Sequence, residues 1–379
     1  MPSLWYNARV RGFLAQILTL SGAIAVLGLI VHNTVTHLSD RGIVSGFDFL
    51  GSTAGFGIIS HLIEYSEAST YARAFVVGLL NTCLVAVLGI LGATTIGFAL
   101  GVARLSTNAL VRSLTTLYVE TLRNVPLLLQ ILLWYFAILV PLPGPRQSLT
   151  VGGLFFLNNR GLYFPRPVFE AGFWWVMVAL ALLAATVVAW QQWHRRHPRR
   201  LSQTGLVKVL MASSLLILGY AAFVFTAWRR PELHGFNYSG GWVLIPEFVA
   251  LWIALATYTA AYIAEIVRAG IQSVSPGQRE AALALGLNPA QTLRFVIIPQ
   301  ALRVIIPPLC GQYLNLTKNS SLGVAIAYPE LVSVFAGTVL NQTGQAIEVI
   351  GITMAVYLAL SLTISLFMNW YNHRMALKG

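Results

Sequence analysis

Apolar residues fall along this chain in long unbroken blocks, not at every second position and not at alternating spacings of three and four. Eight blocks approach or exceed the roughly 20 residues a helix needs to cross a hydrocarbon core. They lie at about 13–32, 74–103, 118–141, 168–193, 206–227, 247–268, 299–317 and 345–370. The third contains Pro126, and the seventh contains Arg303, Pro307 and Pro308. Backbone groups freed by those prolines need partners inside the protein, so these two helices are expected to face other helices and not lipid. The connecting segments 33–73 and 142–167 are rich in Gly, Pro and aromatic residues. In the first, Phe47-Asp48-Phe49-Leu50 and Leu62-Ile63-Glu64-Tyr65 mix apolar residues with an acid, the pattern of a short segment lying along the membrane surface. The expected fold is an all-α membrane protein with about eight transmembrane helices.

Composition agrees with lipid as the solvent. The 379 residues are 57% hydrophobic and 9% charged, with a mean hydropathy of +0.72, against about 25% charged in a soluble domain. A net charge of +12 raises nucleic acid as a partner, but the placement of the charges argues otherwise. With the N-terminus in the cytoplasm, sixteen of the 24 basic residues fall on the cytoplasmic side and eight on the other. Both termini are therefore expected to be cytoplasmic. The run from His194 to Arg200 is the strongest anchor, either as a stop on the basic side or as a contact for anionic lipid or nucleic acid. Arg9 and Arg11 precede an apolar run from Phe13 to Val31 that is too long for a signal h-region, so it reads as a retained first helix. Cys83 and Cys310 lie inside apolar blocks and read as small hydrophobes. No histidine or acid spacing matches a metal site. No G-x-x-x-x-G-K-[ST] occurs, so any ATP-driven activity needs an ATPase on another chain.

The most informative stretch joins the sixth and seventh blocks, from Ser275-Pro276-Gly277-Gln278 to Ile297-Ile298-Pro299. Ser275 as N-cap, Pro276 at the first helical position and Gln278 two residues further form a predicted capping box. An Ala- and Leu-rich helix follows, and Gly286 stands where a helix-terminating glycine belongs. Asn288-Pro289 with Gln291 repeats the start signal, and Leu293, Val296 and Ile297 give the second helix an apolar stripe. Ala281, Ala282 and Ala284 are expected to leave a surface that another protein can approach closely.

Glu280-Ala281-Ala282, then Gly286, then Pro299 resembles the "EAA" loop of binding-protein-dependent ABC importer permeases, with Val296 and Ile298 where that family more often has Ile and Leu. Thr259–Ile271, Pro299–Arg303, Lys318–Leu322, Pro329–Leu331, Gly78–Thr82 and Val119–Leu128 are similar to the polar amino-acid branch of that family. The added spans make the chain most similar to the general L-amino-acid permease subunits of Gram-negative bacteria. The resemblance implies a five-helix permease core. It divides the chain into 1–73 (an extra N-terminal helix and external segment), 74–141 (core), 142–246 (an insertion with two more helices) and 247–379 (core, with the loop). It implies ATPase coupling through Glu280, Ala281, Ala282, Gly286 and Pro299, and no cofactor in this chain, ATP and Mg being bound by the partner ATPase. The implied partners are ATP-binding subunits, a second homologous permease and a periplasmic amino-acid-binding protein, in a bacterial inner membrane.

Other residues carry open readings. Glu120 with Arg123 and Glu265 with Arg268 are i,i+3 pairs, either gating pairs or interfacial anchors. Asn81, Thr82, Gln312 and Asn315, with Lys318, Asn319, Ser320 and Ser321 beyond them, either line a path for zwitterionic substrates or satisfy broken backbone and hold helices together. Gly97 and Gly101 form a G-x-x-x-G pattern expected to pack helices within the chain. The alternative function, an ion-coupled secondary transporter or channel, calls for acids or bases in mid-span, whereas the acids here sit near span ends.

Overall fold

The computed structural model describes residues 8–40, 46–196 and 204–375. The chain divides into two compact units, Met1–Ile131 with Leu251–Gly379, and Leu132–Ala250. The first unit holds α1 (Ala8–Asp40), α2 (Tyr71–Ala103), α3 (Ala109–Asn124), most of α4 (Leu127–Leu132) and most of α7 (Pro246–Gln272). It continues through α8 (Pro276–Ala284), α9 (Pro289–Thr292), α10 (Ile298–Asn319), α11 (Leu340–Thr343) and α12 (Ala346–Met375).

Among the described residues, five helical stretches are long and apolar enough to cross a membrane: Arg11–Ile30, Tyr71–Ala103, Pro246–Gln272, Pro289–Ile326 and Ala346–Asn372. The bent pair Ala109–Asn124 and Leu127–Leu139 makes a sixth, and the shorter apolar helices Gly172–Val187 and Ala212–Val224 occupy the two remaining blocks. The third block is not the continuous span predicted. The pair bends by 105°, because Pro126 cannot donate to the helix and disfavours helical geometry at Val125, which is extended at φ −94° and ψ 126°. Gln130, almost fully buried, repairs the break: its Nε2 donates to the carbonyls of Leu122 at 3.0 Å and Val125 at 2.9 Å.

The seam between α2 and α7 is built on missing side chains. A Cβ on Gly97 would lie 2.6 Å from Ile263 Cβ, and one on Gly101 2.6 Å from Val267 Cβ. The G-x-x-x-G pattern is thus a close packing face within the chain. The segment Phe47–Leu50, read from the sequence as an amphipathic surface stretch, sends part of its apolar side into the protein core. It is a single 3-10 turn, Asp48–Gly51, whose Phe49 is buried with Tyr71, Leu331, Phe335, Val339 and Val349.

The second unit contains strands where the sequence suggested loops. β1 (Leu149–Val151), β2 (Phe155–Asn158), β3 (Gly161–Phe164) and β8 (Trp242–Leu244) form one antiparallel sheet in that order. β4 (Arg166–Phe169) pairs with β5 (Thr226–Arg229), and β6 (Glu232–His234) with β7 (Asn237–Ser239). Aromatic and β-branched residues between glycines favour pleated geometry, and Gly152 and Gly153 take φ of +61° and +66° to turn β1 into β2. Between β4 and β5 run the helices α5 (Ala171–Arg196) and α6 (Thr204–Val224). The His197–Arg200 part of the basic run lies outside the described residues.

Candidate functional site

The loop after α7 is shaped by its two helix ends. Leu287 N donates to Ala282 O at 3.1 Å and Gly286 N to Leu283 O at 2.9 Å, a Schellman closure that requires the left-handed φ of +81° at Gly286. Asn288 then forms a complete capping box: its Oδ1 accepts from Gln291 N at 2.9 Å and its N donates to Gln291 Oε1 at 3.0 Å. The first predicted box does not form. Ser275 makes no side-chain cap; its carbonyl accepts from Gln278 N at 3.0 Å. The Gln278 side chain instead meets Gln300 Nε2 on α10 at 3.3 Å. The second helix of the loop is not a separate element either. α9 passes through a π-helical turn, Leu293–Ile297, directly into α10, so Pro299 lies within a continuous helix.

Of the predicted coupling residues, Glu280, Ala281 and Gly286 are exposed and Pro299 is half-buried. Ala282 is buried, 3% exposed. It faces the interior of the loop instead of adding to the approachable surface expected of it. What the loop does present is apolar: Leu285 is 82% exposed and Phe295 60%. Sequence reasoning passed over both because each sits in an ordinary helical pattern.

Beside this loop, α2, α3 and α7 converge on an ionic cluster. Arg104 Nη1 lies 2.5 Å from Glu265 Oε2, and its Nη2 lies 3.7 Å from Glu120 Oε1. Glu265 also pairs with Arg268, which continues to Gln272 Oε1 at 2.6 Å. The predicted Glu265–Arg268 pair is present. The Glu120–Arg123 pair is not: Arg123 stands over the Tyr262 ring, 5.2 Å from its centroid, and Arg104, at the end of α2, takes Glu120.

The predicted path residues separate into two groups. Asn81 and Thr82 are fully buried. Asn81 Nδ2 donates to the carbonyls of Ser60 and Pro329, both at 2.8 Å. Thr82 Oγ1 donates to Gly78 O and accepts from Leu331 N, both at 3.0 Å. Both side chains hold the backbone of 329–331. Gln312, Asn315, Lys318 and Asn319 are half-buried or exposed along α10. Ser320 is buried, donating to Thr317 O at 2.7 Å, and Ser321 donates to Lys318 O at 2.8 Å.

The 329–331 segment carries a group that the sequence reading left without a role. Glu330, in the connector between α10 and α12 and outside both spans, is fully buried. Its carboxylate accepts from the backbone N–H groups of Val332 and Ser333, each at 2.7 Å, capping the π-helical stretch Val332–Val339. Tyr357 Oη approaches Glu330 Oε2 at 3.3 Å. Among the described residues it forms no ion pair. Burial therefore outweighs these hydrogen bonds and pushes its pKa up to about 7. Among the described residues no cluster of His, Cys, Asp or Glu has the makings of a metal site.

Residues 181–377 match the family of Binding-protein-dependent transport system inner membrane components. The chain is 54% identical to the "Putative amino-acid ABC transporter permease protein YhdX" of Escherichia coli (strain K12), over 98% of this chain and 95% of that protein. It is 48% identical to the "General L-amino acid transport system permease protein AapQ" of Rhizobium johnstonii, over 99% of this chain and 94% of that one. It is 41% identical to the "Glutamate/glutamine/aspartate/asparagine transport system permease protein BztB" of Rhodobacter capsulatus, over 100% of this chain and 96% of that one. A fused turn-and-helix loop, an ionic cluster at its base and a multi-pass apolar scaffold are thus found in a chain that belongs to the family of binding-protein-dependent transport system inner membrane components, a permease subunit and not an enzyme.

Proposed function

We propose that this permease moves L-amino acids across a bacterial inner membrane. A separate ATPase that binds ATP and Mg drives it by docking on the loop at about 275–298. The observation that carries the reading is the exposed Leu285 and Phe295 beside Glu280 and Ala281. Apolar side chains left exposed on a rigidly closed loop are what a protein partner buries. The names of the relatives support the substrate class. In this reading both termini are cytoplasmic and a periplasmic binding protein delivers the substrate. Residues 74–141 and 247–379 are the five-helix core, and 1–73 and 142–246 are additions. A second, homologous permease covers the face of α10 on which Val304, Pro307, Pro308, Gly311, Asn315 and Lys318 recur, exposed, at helical spacing. Gln312, Asn315, Lys318, Asn319 and Ser321 supply polar groups to the path along that face. Asn81, Thr82 and Ser320 shape the path by holding backbone.

The test is ATPase retention on affinity-purified permease carrying Leu285→Asp or Gly286→Glu, with Ile59→Asp, an exposed residue outside the loop, as control. Truncating an interface anchor typically costs 2 kcal/mol or more, so retention is expected to fall by at least about tenfold in both loop variants and to hold in the control. Normal retention and transport in both loop variants would overturn the reading.

A further inference from the structure

The two apolar helices of the second unit end in a ribbon and not in loops. β4 ends at Phe169, just before α5 begins at Ala171, and β5 begins at Thr226, just after α6 ends at Val224. The register pairs Arg166 with Arg229, Pro167 with Trp228, Val168 with Ala227 and Phe169 with Thr226. Directly opposed residues share a face. One face of the ribbon therefore carries Arg166 and Arg229, and the other carries Trp228 and Phe169.

Like charges directly opposite one another destabilise a strand pair unless an anion lies between them. Among the described residues no acid forms an ion pair with Arg166, Arg229 or the adjacent Arg230, and all three are exposed. The acids nearest in sequence form no ion pair with them among the described residues: Glu232, which lines the same cavity as Arg229 and Arg230, lies 3.6 Å from His234, and Glu170 forms none. Arg146, by contrast, is already placed, 4.7 Å from the centroid of the Phe236 ring. The level of the ribbon is set by its neighbours. Trp174 and Trp175, in the first turn of α5, are 64% and 77% exposed, and such tryptophans mark the edge of the hydrocarbon. Arg166 lies three residues beyond Phe169, about 10 Å along a strand, which puts it in or at the outer edge of the headgroup layer.

We propose that Arg166 and Arg229, with Arg230, bind the phosphate of an anionic phospholipid, phosphatidylglycerol or cardiolipin, in the leaflet where the α5–α6 hairpin emerges. Guanidinium groups offer forked donors that match phosphate oxygens, and a bound phosphate removes the repulsion between the opposed arginines. Acyl chains then lie along the exposed apolar sides of α5 and α6. An acidic soluble partner carries a complementary charge too, but it would have to reach the arginine face at the level the headgroups occupy.

The full-length permease with its co-purifying subunits is titrated in mild detergent with dioleoylphosphatidylglycerol and, separately, dioleoylphosphatidylcholine, and bound lipid is counted by native mass spectrometry. Wild type is expected to prefer the anionic lipid by at least about tenfold, each arginine near a membrane surface contributing about fivefold. Arg166→Gln with Arg229→Gln is expected to abolish the preference. Arg166→Lys with Arg229→Lys, which keeps the charge without the fork, is expected to retain part of it, and Arg146→Gln all of it. The double Gln variant is expected to melt no lower than wild type. Equal binding of both lipids by wild type would overturn the proposal. So would an undiminished preference in the double Gln variant, or an equal loss in Arg146→Gln. Unchanged lipid binding with loss of a co-purifying acidic subunit would assign the arginines to that subunit instead.

Discussion

α1 and α2 are each 33 residues long, and both carry an apolar stretch long enough to cross a membrane, yet they relate to the protein in opposite ways. None of the Arg11–Ile30 stretch of α1 is buried, whereas 44% of the most apolar part of α2 is. Apolarity does not separate them. α1 has Gly12, Gly22 and Gly28, but a Cβ at any of these would meet nothing within 4 Å. In α2, Gly92, Gly97 and Gly101 recur against α7, and Asn81 and Thr82 reach across to the backbone near Pro329. In lipid no hydrophobic force draws two apolar helices together, so close approach and internal hydrogen bonds decide which helices associate. α2 has both devices. α1 presents its apolar surface to lipid or to another chain.

The largest expected effect tests the close approach. Gly101→Leu drives a side chain into Val267 and the Ala264 carbonyl. Overpacking of this kind costs 1–3 kcal/mol or more, and because backbone is among the obstacles little folded permease should be recovered by size-exclusion chromatography in detergent. Next comes the buried acid held near α2. The pKa of Glu330 is raised to about 7 from an unfolded value near 4.3. Between those values the folded protein binds the proton and the unfolded chain does not. Stability from this group is therefore complete below about pH 4 and falls as pH rises to about 7, by roughly 2–4 kcal/mol in all. Melting temperature measured across that range should decline in wild type, and the decline should flatten in Glu330→Gln. A flat wild-type profile would show the carboxylate to be less buried than described. Thr82→Val removes the acceptor for Leu331 N and is expected to lower stability by about 1–2 kcal/mol with no new pH dependence. Smallest is Gly22→Leu in α1, expected to leave the melting temperature within about 1 °C, since surface substitutions of this kind stay within about 0.5 kcal/mol. A large drop there would mean that α1 packs against the core after all.

What the sequence made legible follows the range of the forces involved. Block length is a property of the chain alone, and all eight blocks are largely helical. The Asn288 box and the Gly286 turn rest on residues three apart or on one backbone angle, and both were readable. Failures began where a residue's partner lies far along the chain. Ser275 had the same local signature as Asn288, but Gln278 turned to Gln300. Glu120 had Arg123 in helical reach, but Arg104, at the end of another helix, took it. Ala282 looked like part of a small-residue surface until the Schellman closure turned it inward. The strands of the second unit were hidden for a similar reason, since each is only three or four residues long and its partner lies across a turn or a whole helical hairpin. Glu330 left a trace in the sequence, an acid just after a proline in an apolar setting. Only the fold shows that, among the described residues, no ion pair neutralises it.

The merging of the loop's second helix into α10 has a mechanical consequence. From Pro289 to Ile326 there is no linker to absorb motion, so a push at Asn288 displaces the root of a rod 38 residues long, about 60 Å with its last turns, Ser320–Ile326, in 3-10 form. The rod is not uniformly stiff. The π-helical turn at Leu293–Ile297 and the adjacent Pro307 and Pro308 interrupt its regular hydrogen bonding. Bending should therefore concentrate at these two joints while the segments between them turn as rigid struts, so that a short stroke at the loop becomes an angular swing of the far arm.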